Sequence, residues 1–121
     1  MQSVTFGENN FDVEDRGERT PKIVQLAEIT SLLTKSQKEK IFSGCDVKNL
    51  AKIFEDPAMM ITAKSFLANG MNVAKTARSM YMHRNTLLYR LNAIRRLTGF
   101  DLRDFQMAVT FEILHSLYAM K

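Results

Sequence analysis

The sequence predicts a compact all-α domain of about six or seven helices, and three observations support this fold class. Apolar residues recur three and four positions apart through most of the chain after residue 20, which is the period of an amphipathic helix. Ser, Thr, Asp or Asn precede these segments, and Gly follows several of them, as helix caps do. No segment alternates apolar and polar residues for long enough to predict a stable strand. At 121 residues the chain forms one domain with a modest core.

Capping residues, proline and glycine predict where the first helices begin and end. Residues 1–19 mix glycine, asparagine and charged residues without a sustained period, so we expect a mobile tail there. Thr20-Pro21 has the form of an N-cap followed by proline at the first helical position, and apolar spacing continues to Leu33. Ser36-Gln37-Lys38-Glu39 has a capping-box pattern for a second short helix, which Gly44 can end.

The same kind of signal predicts the next four helices. Asp46 caps a segment whose apolar residues share one face, and Asp56-Pro57 again pairs a cap with proline. Asn69-Gly70 ends that helix. Two helical patterns then follow closely, at 73–80 and 84–98, and Asn72, His83 and Gly99 occupy their cap and stop positions.

The last helix is predicted to begin near Asp101, with Asp104 in its first turn, where a carboxylate complements the positive end of a helix. It is apolar on more than one side, so other helices or a second copy of the chain must cover it. Its apolar residues are Phe105, Met107, Ala108, Val109, Phe111, Ile113, Leu114, Leu117 and Tyr118.

The closely spaced pair of helices has the pattern of a helix-turn-helix that binds duplex DNA. Ala77 falls where the two helices cross closely, and Leu87, Leu91 and Ile94 gather on one side of the second helix. The opposite side lacks acids and large aliphatic residues, as a surface that lies in a phosphate-lined groove requires. We therefore divide the chain into a tail at 1–19, supporting or linker helices at 20–56 and a helix-turn-helix DNA-binding domain at 57–121.

Charge is distributed unevenly along the chain. Seven basic residues and no Asp or Glu lie between Pro57 and Phe100, so the rest of the chain has a net charge of −3 against +4 for the whole. A basic middle suits a polyanionic partner, whereas the alternative is an ordinary solvated helix surface.

The chemistry of the side chains suggests two roles in DNA binding. Arg84, at the start of the second helix, is a two-pronged donor that fits a guanine edge. Phosphate contacts require charge or a hydroxyl but little precision, and the helix N-terminus near His83 adds backbone donors. The candidates for base contacts are Arg84, Asn85, Thr86 and Tyr89. The candidates for phosphate contacts are Lys75, Thr76, His83, Arg90, Arg95 and Arg96.

Tyr81 occupies the turn position that glycine often fills in this motif. A left-handed backbone has a steric cost for any residue that carries a Cβ atom. We therefore expect a modified turn between the two helices.

A more specific combination of residues runs through this region. It comprises Asn72 to Ala77, His83-Arg84-Asn85-Thr86-Leu87, Tyr89-Arg90-Leu91, Ile94, and Leu97-Thr98-Gly99-Phe100-Asp101-Leu102. The combination resembles the C-terminal DNA-binding domain of the PucR-type regulators, whose helix-turn-helix is similar to that of the Fis protein. The resemblance covers about Leu50 to Tyr118 and implies an all-α fold that contains a Fis-like helix-turn-helix.

The resemblance also implies a function. PucR-type regulators include activators of purine catabolism and of sugar-diacid utilisation, so we expect a bacterial transcriptional regulator that binds specific sequences in double-stranded DNA. Arg84, Asn85, Thr86 and Tyr89 then lie on a recognition helix at about 84–97 in the major groove. The family usually joins this module to an upstream sensory domain, and we expect that domain, or a partner that supplies it, to be absent from this chain.

We expect neither catalysis nor a cofactor. His83 has no Ser, Cys or carboxylate near it with a nucleophile signature, and His83, His115 and Cys45 are too few and too widely spaced for a zinc site. No apolar run is long enough to cross a membrane, and the N-terminus lacks the pattern of a secretory signal, so we expect a cytoplasmic location.

The apolar last helix also allows another class of function, a helical protein–protein adaptor that docks through Phe105, Val109, Phe111 and Leu114. RNA binding has less support, because two tyrosines do not make a stacking surface. Helix-turn-helix proteins commonly bind DNA as dimers, so we expect a homodimer that pairs through the last helix or the N-terminal helix.

Overall fold

The computed structural model describes residues 24–119, which form seven α-helices and no strand. The predicted all-α fold is therefore confirmed. The tail predicted at 1–19 and the helix start predicted at Thr20-Pro21 lie outside the described residues. The helices are α1 (Leu26–Thr30), α2 (Lys35–Phe42), α3 (Val47–Phe54), α4 (Pro57–Ala68), α5 (Val73–Ser79), α6 (Arg84–Thr98) and α7 (Phe105–Ala119).

Four predicted N-caps are confirmed at the starts of α3 to α6. In each of them the side chain accepts a hydrogen bond from an amide in the first turn of its helix. These amides have no partner inside the helix, so each cap satisfies a donor that would otherwise need water. The four caps are Asp46, Asp56, Asn72 and His83.

The first two helices of the described chain differ from the predicted pattern in the part that can be compared. Residues 24 and 25 are not helical, and α1 begins behind Gln25, whose amide donates to Glu28 Oε1 at 3.2 Å. This helix ends at Thr30 rather than near Leu33. The N-cap of α2 is Thr34 and not Ser36, because Thr34 forms a capping box with Gln37 two residues earlier in the chain than the predicted one.

The last helix begins at Phe105 and not near Asp101. Asp101 Oδ1 accepts the amide of Arg103 at 3.0 Å and closes a turn, as Asp side chains often do before a helix. Asp104 Oδ2 then accepts the amide of Met107 at 3.0 Å and satisfies a donor in the first turn of α7. Asp101 therefore closes the turn before α7, and Asp104 caps the first turn of the helix.

One hydrophobic core contains side chains from α3 to α7. The ring of Phe54 packs against other aromatic rings in this core. Its centre lies 5.3 Å from the centre of the Phe111 ring and 5.2 Å from that of the Tyr118 ring. Side chains of α3 belong to the same core as those of the later helices. The division of the chain at residue 56 stays a prediction. The largest fully buried apolar side chains are Leu50, Phe66, Leu87, Ile94, Leu102, Phe111 and Leu114.

The short helices α1 and α2 form a layer on α7. In α1 only Thr30 is buried, and its hydroxyl lies 3.0 Å from the hydroxyl of Ser116. In α2 no residue is fully buried. Between residues 24 and 119, no helix is both long and apolar enough to span a bilayer.

Candidate nucleic-acid interface

The turn between α5 and α6 is a Schellman motif. The amide of Met82 donates to Ala77 O at 2.9 Å, and the amide of Tyr81 donates to Arg78 O at 3.2 Å. These two bonds satisfy carbonyl groups that the end of α5 leaves without helical partners. The angle between α5 and α6 is therefore set by the backbone as well as by the core.

The expectation of a modified turn is wrong. Tyr81 adopts the left-handed conformation at φ 53°, so the chain makes the ordinary turn with a tyrosine where glycine is usual. This conformation brings the Cβ atom close to the following carbonyl group, at a cost of about 1–2 kcal/mol. The two backbone hydrogen bonds of the motif and the burial of Met82 against the core hold the turn in place despite that cost.

The inner side of α6 is fixed by burial. Leu87 and Ile94 have no exposed surface, and Leu91 retains 3%. These side chains lie in the core with residues of α3, α4 and α5, which contact α6. The rotation of α6 about its axis is thus determined, and the same residues face outward in every molecule.

The structure brings the four candidates for base contacts together on the exposed side of α6. Arg84, Asn85 and Thr86 are exposed in the first turn, and Tyr89 is 63% exposed one turn later. No acid lies among them, in agreement with the sequence pattern. We call the following side chains the recognition face: Arg84, Asn85, Thr86, Tyr89, Asn92 and Arg96.

Arg96 and Tyr89 interact within the recognition face. The guanidinium carbon of Arg96 lies 6.0 Å from the centre of the Tyr89 ring, which is the outer limit of a cation–π contact. Arg95 and Arg96 are both exposed in the last turn of α6, where positive charge complements the negative end of the helix. The contact places a positive charge beside the aromatic ring on the same side of α6.

Lys75 and His83 lie where the sequence predicts them. Lys75 is exposed in the first turn of α5, behind the cap Asn72. His83 is exposed, and its Nδ1 atom accepts the amide of Asn85 at 3.0 Å. The cap occupies Nδ1, so the other ring nitrogen is the atom through which His83 can bind a ligand.

Thr76 is a wrong prediction. It is fully buried, and its hydroxyl donates to Asn72 O at 2.7 Å within α5. A hydroxyl that is enclosed and already bonded to its own helix cannot meet a phosphate. The helical spacing of Val73, Thr76, Ala77 and Met80 is the signal that would have placed Thr76 on the inner side of α5.

Arg90 is half-buried and has a partner that the sequence did not reveal. Its Nη1 atom donates to Thr62 Oγ1 at 2.9 Å, and the fully buried Thr62 donates in turn to Ala58 O at 2.8 Å. This chain of hydrogen bonds ties α6 to α4. The remaining donors of the guanidinium can still reach a phosphate, because an arginine has five N–H groups.

A second polar link joins α4 to α5. Asn69 Nδ2 donates to Ser65 O at 2.8 Å and lies 3.2 Å from Ser79 Oγ. The side chain that ends α4 therefore also contacts the last turn of α5. Sequence reasoning assigned Asn69 to the end of a helix only.

The bases of the acid-free stretch differ in how they are paired. Lys64 lies 3.5 Å from Glu112 of α7, so part of its charge is neutralised within the fold. Within residues 24–119, no ion pair is formed by the arginines of α6 or by Lys75 of α5. The arginines of α6 and Lys75 of α5 thus keep a positive charge that no carboxylate of the described chain neutralises.

Among residues 24–119, the two groups whose pKa is displaced both belong to α7. Burial is the main reason that the pKa of His115 is lowered, the charge of Lys64 lowers it further and Glu112 opposes the shift. The pKa of Tyr118 is raised because its hydroxyl donates a hydrogen bond to Glu55. Both shifts arise from the packing of α7 against neighbouring helices, and neither group belongs to the recognition face.

The part of the chain that carries this geometry matches a known family. Residues 59–114, from α4 into α7, match the PucR C-terminal helix-turn-helix domain. These residues are a PucR-type helix-turn-helix domain. The resemblance seen in the sequence is thereby confirmed over α4 to α7.

Two proteins of Bacillus subtilis (strain 168) contain similar segments. This chain is 31% identical over 85 residues to the purine catabolism regulatory protein, and 28% identical over 78 residues to the uncharacterized protein YxkF. The alignments cover 69% and 64% of this chain but only 15% and 26% of those proteins. The chain therefore corresponds to a small part of either relative.

A solved structure shares the fold. The regulator of polyketide synthase expression from Bifidobacterium adolescentis superimposes with a TM-score of 0.57 and 24% sequence identity. The superposition covers 78% of this chain and 39% of that one. It supports the arrangement of helices around the PucR-type domain.

The link between Arg90 and Thr62 can be tested by replacing Thr62→Val, which keeps the shape but removes the oxygen that accepts from Arg90. We expect the free energy of unfolding in urea to fall by about 1–2 kcal/mol, because a half-buried guanidinium loses a partner.

Thr110→Val is a matched control for this test. Thr110 also donates to the carbonyl four residues earlier, at 2.9 Å, but it is exposed and no arginine bonds to it among the described residues. Its replacement should change stability by less than about 0.5 kcal/mol. Equal effects of the two substitutions would show that the bond from Arg90 contributes nothing.

Proposed function

We propose that this chain binds specific sequences of double-stranded DNA in the bacterial cytoplasm as part of transcription regulation, with α6 in the major groove. One observation carries the proposal. Apart from the half-buried Asn92, the recognition face is exposed, and it is free of acids and fixed in direction because the opposite side of α6 is buried in the core. A helix that presents such a face after a tight turn has the geometry of a helix-turn-helix reader.

The base contacts are proposed to come from the first two turns of α6. Arg84 can give two parallel hydrogen bonds to a guanine, and Asn85 can pair in the same way with an adenine. Thr86 and Tyr89 offer a hydroxyl each, and the methyl of Thr86 also suits the methyl group of a thymine. All four side chains are exposed on one stretch of helix, so they can reach neighbouring base pairs.

The phosphate contacts are proposed to surround this set. Lys75 lies at the start of α5, the helix that crosses the DNA backbone in this motif. His83 and the N-terminus of α6 offer donors at one end of the recognition face, and Arg95 and Arg96 offer charge at the other. Arg90 contributes the donors that Thr62 leaves available.

The printed name of one relative suggests the biological setting. The purine catabolism regulatory protein of Bacillus subtilis is a regulator, and this chain matches 15% of its length. We therefore propose that the chain acts as the DNA-binding part of a regulator and that any effector-sensing domain lies in another segment or partner. No catalytic activity belongs to this proposal.

A homodimer is the proposed binding form. Phe105 and Val109 of α7 are 68% and 39% exposed, and they line a hollow together with Leu67 and Met71. A second copy that places the same surface here would bury apolar area on both sides, and two recognition helices could then meet half-sites one helical turn apart.

Val109→Glu should shift sedimentation equilibrium toward the monomer, because the new carboxylate would lose its water at the interface. Ile41→Glu is the control, since Ile41 on α2 has the same exposed fraction of 39%. A monomer in the unsubstituted chain at high protein concentration would contradict the dimer.

The exposed apolar side chains of α7 also favour a second candidate, an adaptor that docks a protein partner. Such binding should depend weakly on salt, whereas DNA binding through several phosphates weakens steeply as salt rises.

A salt titration with random duplex DNA separates the two candidates. We expect the logarithm of the binding constant to fall with the logarithm of salt concentration by roughly 0.9 for each phosphate contacted. The double substitution Arg84→Ala and Arg96→Ala should weaken binding at every salt concentration, because it removes two charges from the recognition face.

The control for this titration is the double substitution Lys40→Ala and Lys48→Ala, which removes the same charge from exposed residues of α2 and α3. It should bind almost as the unsubstituted chain does. Absence of binding by the unsubstituted chain at low salt would refute the DNA proposal and favour the adaptor.

The division of roles predicts different results for two single substitutions. Arg84→Ala should reduce discrimination at one base pair by about 1–3 kcal/mol, because it removes a contact to a base edge. Lys75→Ala should weaken all sequences about equally and lower the salt slope by about 1. Selection of preferred sequences from a random pool measures both effects, and identical profiles for the two variants would refute the division.

A further inference from the structure

The side chain of Tyr81 is almost fully exposed although its backbone is strained. Its φ of 53° lies in the left-handed region, and its side chain is 97% exposed. No hydrogen bond or ring contact of the phenol is formed with residues 24–119. The tyrosine side chain therefore adds no packing to the fold, and it occupies a position where glycine would adopt the same backbone conformation without strain.

Met71 shows how a strained residue can be useful to the fold itself. It is the other residue besides glycine with positive φ in the described chain, at 62°. Its side chain is half-buried and packs against the core, so burial offsets the conformational cost. The side chain of Tyr81 offers no such compensation, and only the backbone hydrogen bonds of the turn and the packing of Met82 offset its strain. Strain that a residue's own side chain does not offset is typical of residues that act on a ligand.

The place of Tyr81 in the motif indicates which ligand atoms it can reach. It lies in the turn between α5 and α6, and in this motif the first helix crosses the DNA backbone while the N-terminus of the second enters the groove. The turn thus lies at the edge of the groove, beside the phosphates. Met82 packs inward against the core, whereas Tyr81 and His83 on either side of it are exposed.

We propose that the Tyr81 hydroxyl donates a hydrogen bond to a phosphate oxygen of the DNA backbone and thereby positions the start of α6. The inference rests on the proposed function. A phenol donates without carrying charge, so the contact adds affinity and orientation but little salt dependence. It is equal for all base sequences, because every nucleotide carries the same phosphate.

Two substitutions at this residue separate the hydroxyl from the backbone strain. Tyr81→Gly removes both, so the melting temperature should rise by several degrees while affinity for specific and random duplexes falls about tenfold alike. Tyr81→Phe keeps the strain and the ring, so the melting temperature should stay the same and affinity should fall by a similar factor. Tyr118→Phe, which removes a hydroxyl from α7, should leave DNA affinity unchanged.

The unsubstituted chain distinguishes the two ways in which the inference can fail. If it binds DNA and both Tyr81 variants bind as tightly, the phosphate contact is refuted while the proposed function stands. If Tyr81→Phe alone binds like the unsubstituted chain, the hydroxyl is refuted as the contacting group. If the unsubstituted chain does not bind DNA at low salt, the proposed function and the contact both fail.

Discussion

The anchoring of α6 by its inner side chains is the constraint on which the candidate interface depends. Leu87, Leu91 and Ile94 lie in a core that contains residues of α3, α4 and α5. Packing at the density of a protein interior leaves a buried side chain little freedom to move. The direction of the recognition face is therefore a property of the core. The hydrogen bond from Arg90 to Thr62 adds a polar tie on the same helix.

The helix boundaries show which parts of the fold a sequence can reveal. Asp46, Asp56, Asn72 and His83 were predicted as caps because a cap acts within its own first turn. The starts of α2 and α7 were misplaced because two possible capping residues lie within a few positions of each other there, and the structure uses Thr34 and Asp104. Local signals thus locate helices well and their first residues less well.

The sequence predicted those features of the candidate site that follow from the helical repeat, namely which residues of α6 face outward. The exposure of Arg84, Asn85, Thr86 and Tyr89 follows from the burial of the opposite side of α6. Thr76 was misassigned because its hydroxyl was considered without its place on the inner side of α5. The bond between Arg90 and Thr62 joins residues 28 positions apart, and no local pattern encodes such a contact.

The layer formed by α1 and α2 differs from the rest of the molecule in how it is held. Neither helix contributes a residue to the fully buried part of the core, and α1 is five residues long. Segments with few buried apolar contacts open at a lower free energy than the global unfolding transition. We therefore expect the beginning of the described chain to open at a lower free energy than α5 and α6 do. A domain joined upstream would be connected to the recognition helix through this weakly held layer, which would transmit little force to α6. Such a domain would influence DNA binding mainly by bringing two copies of the chain together.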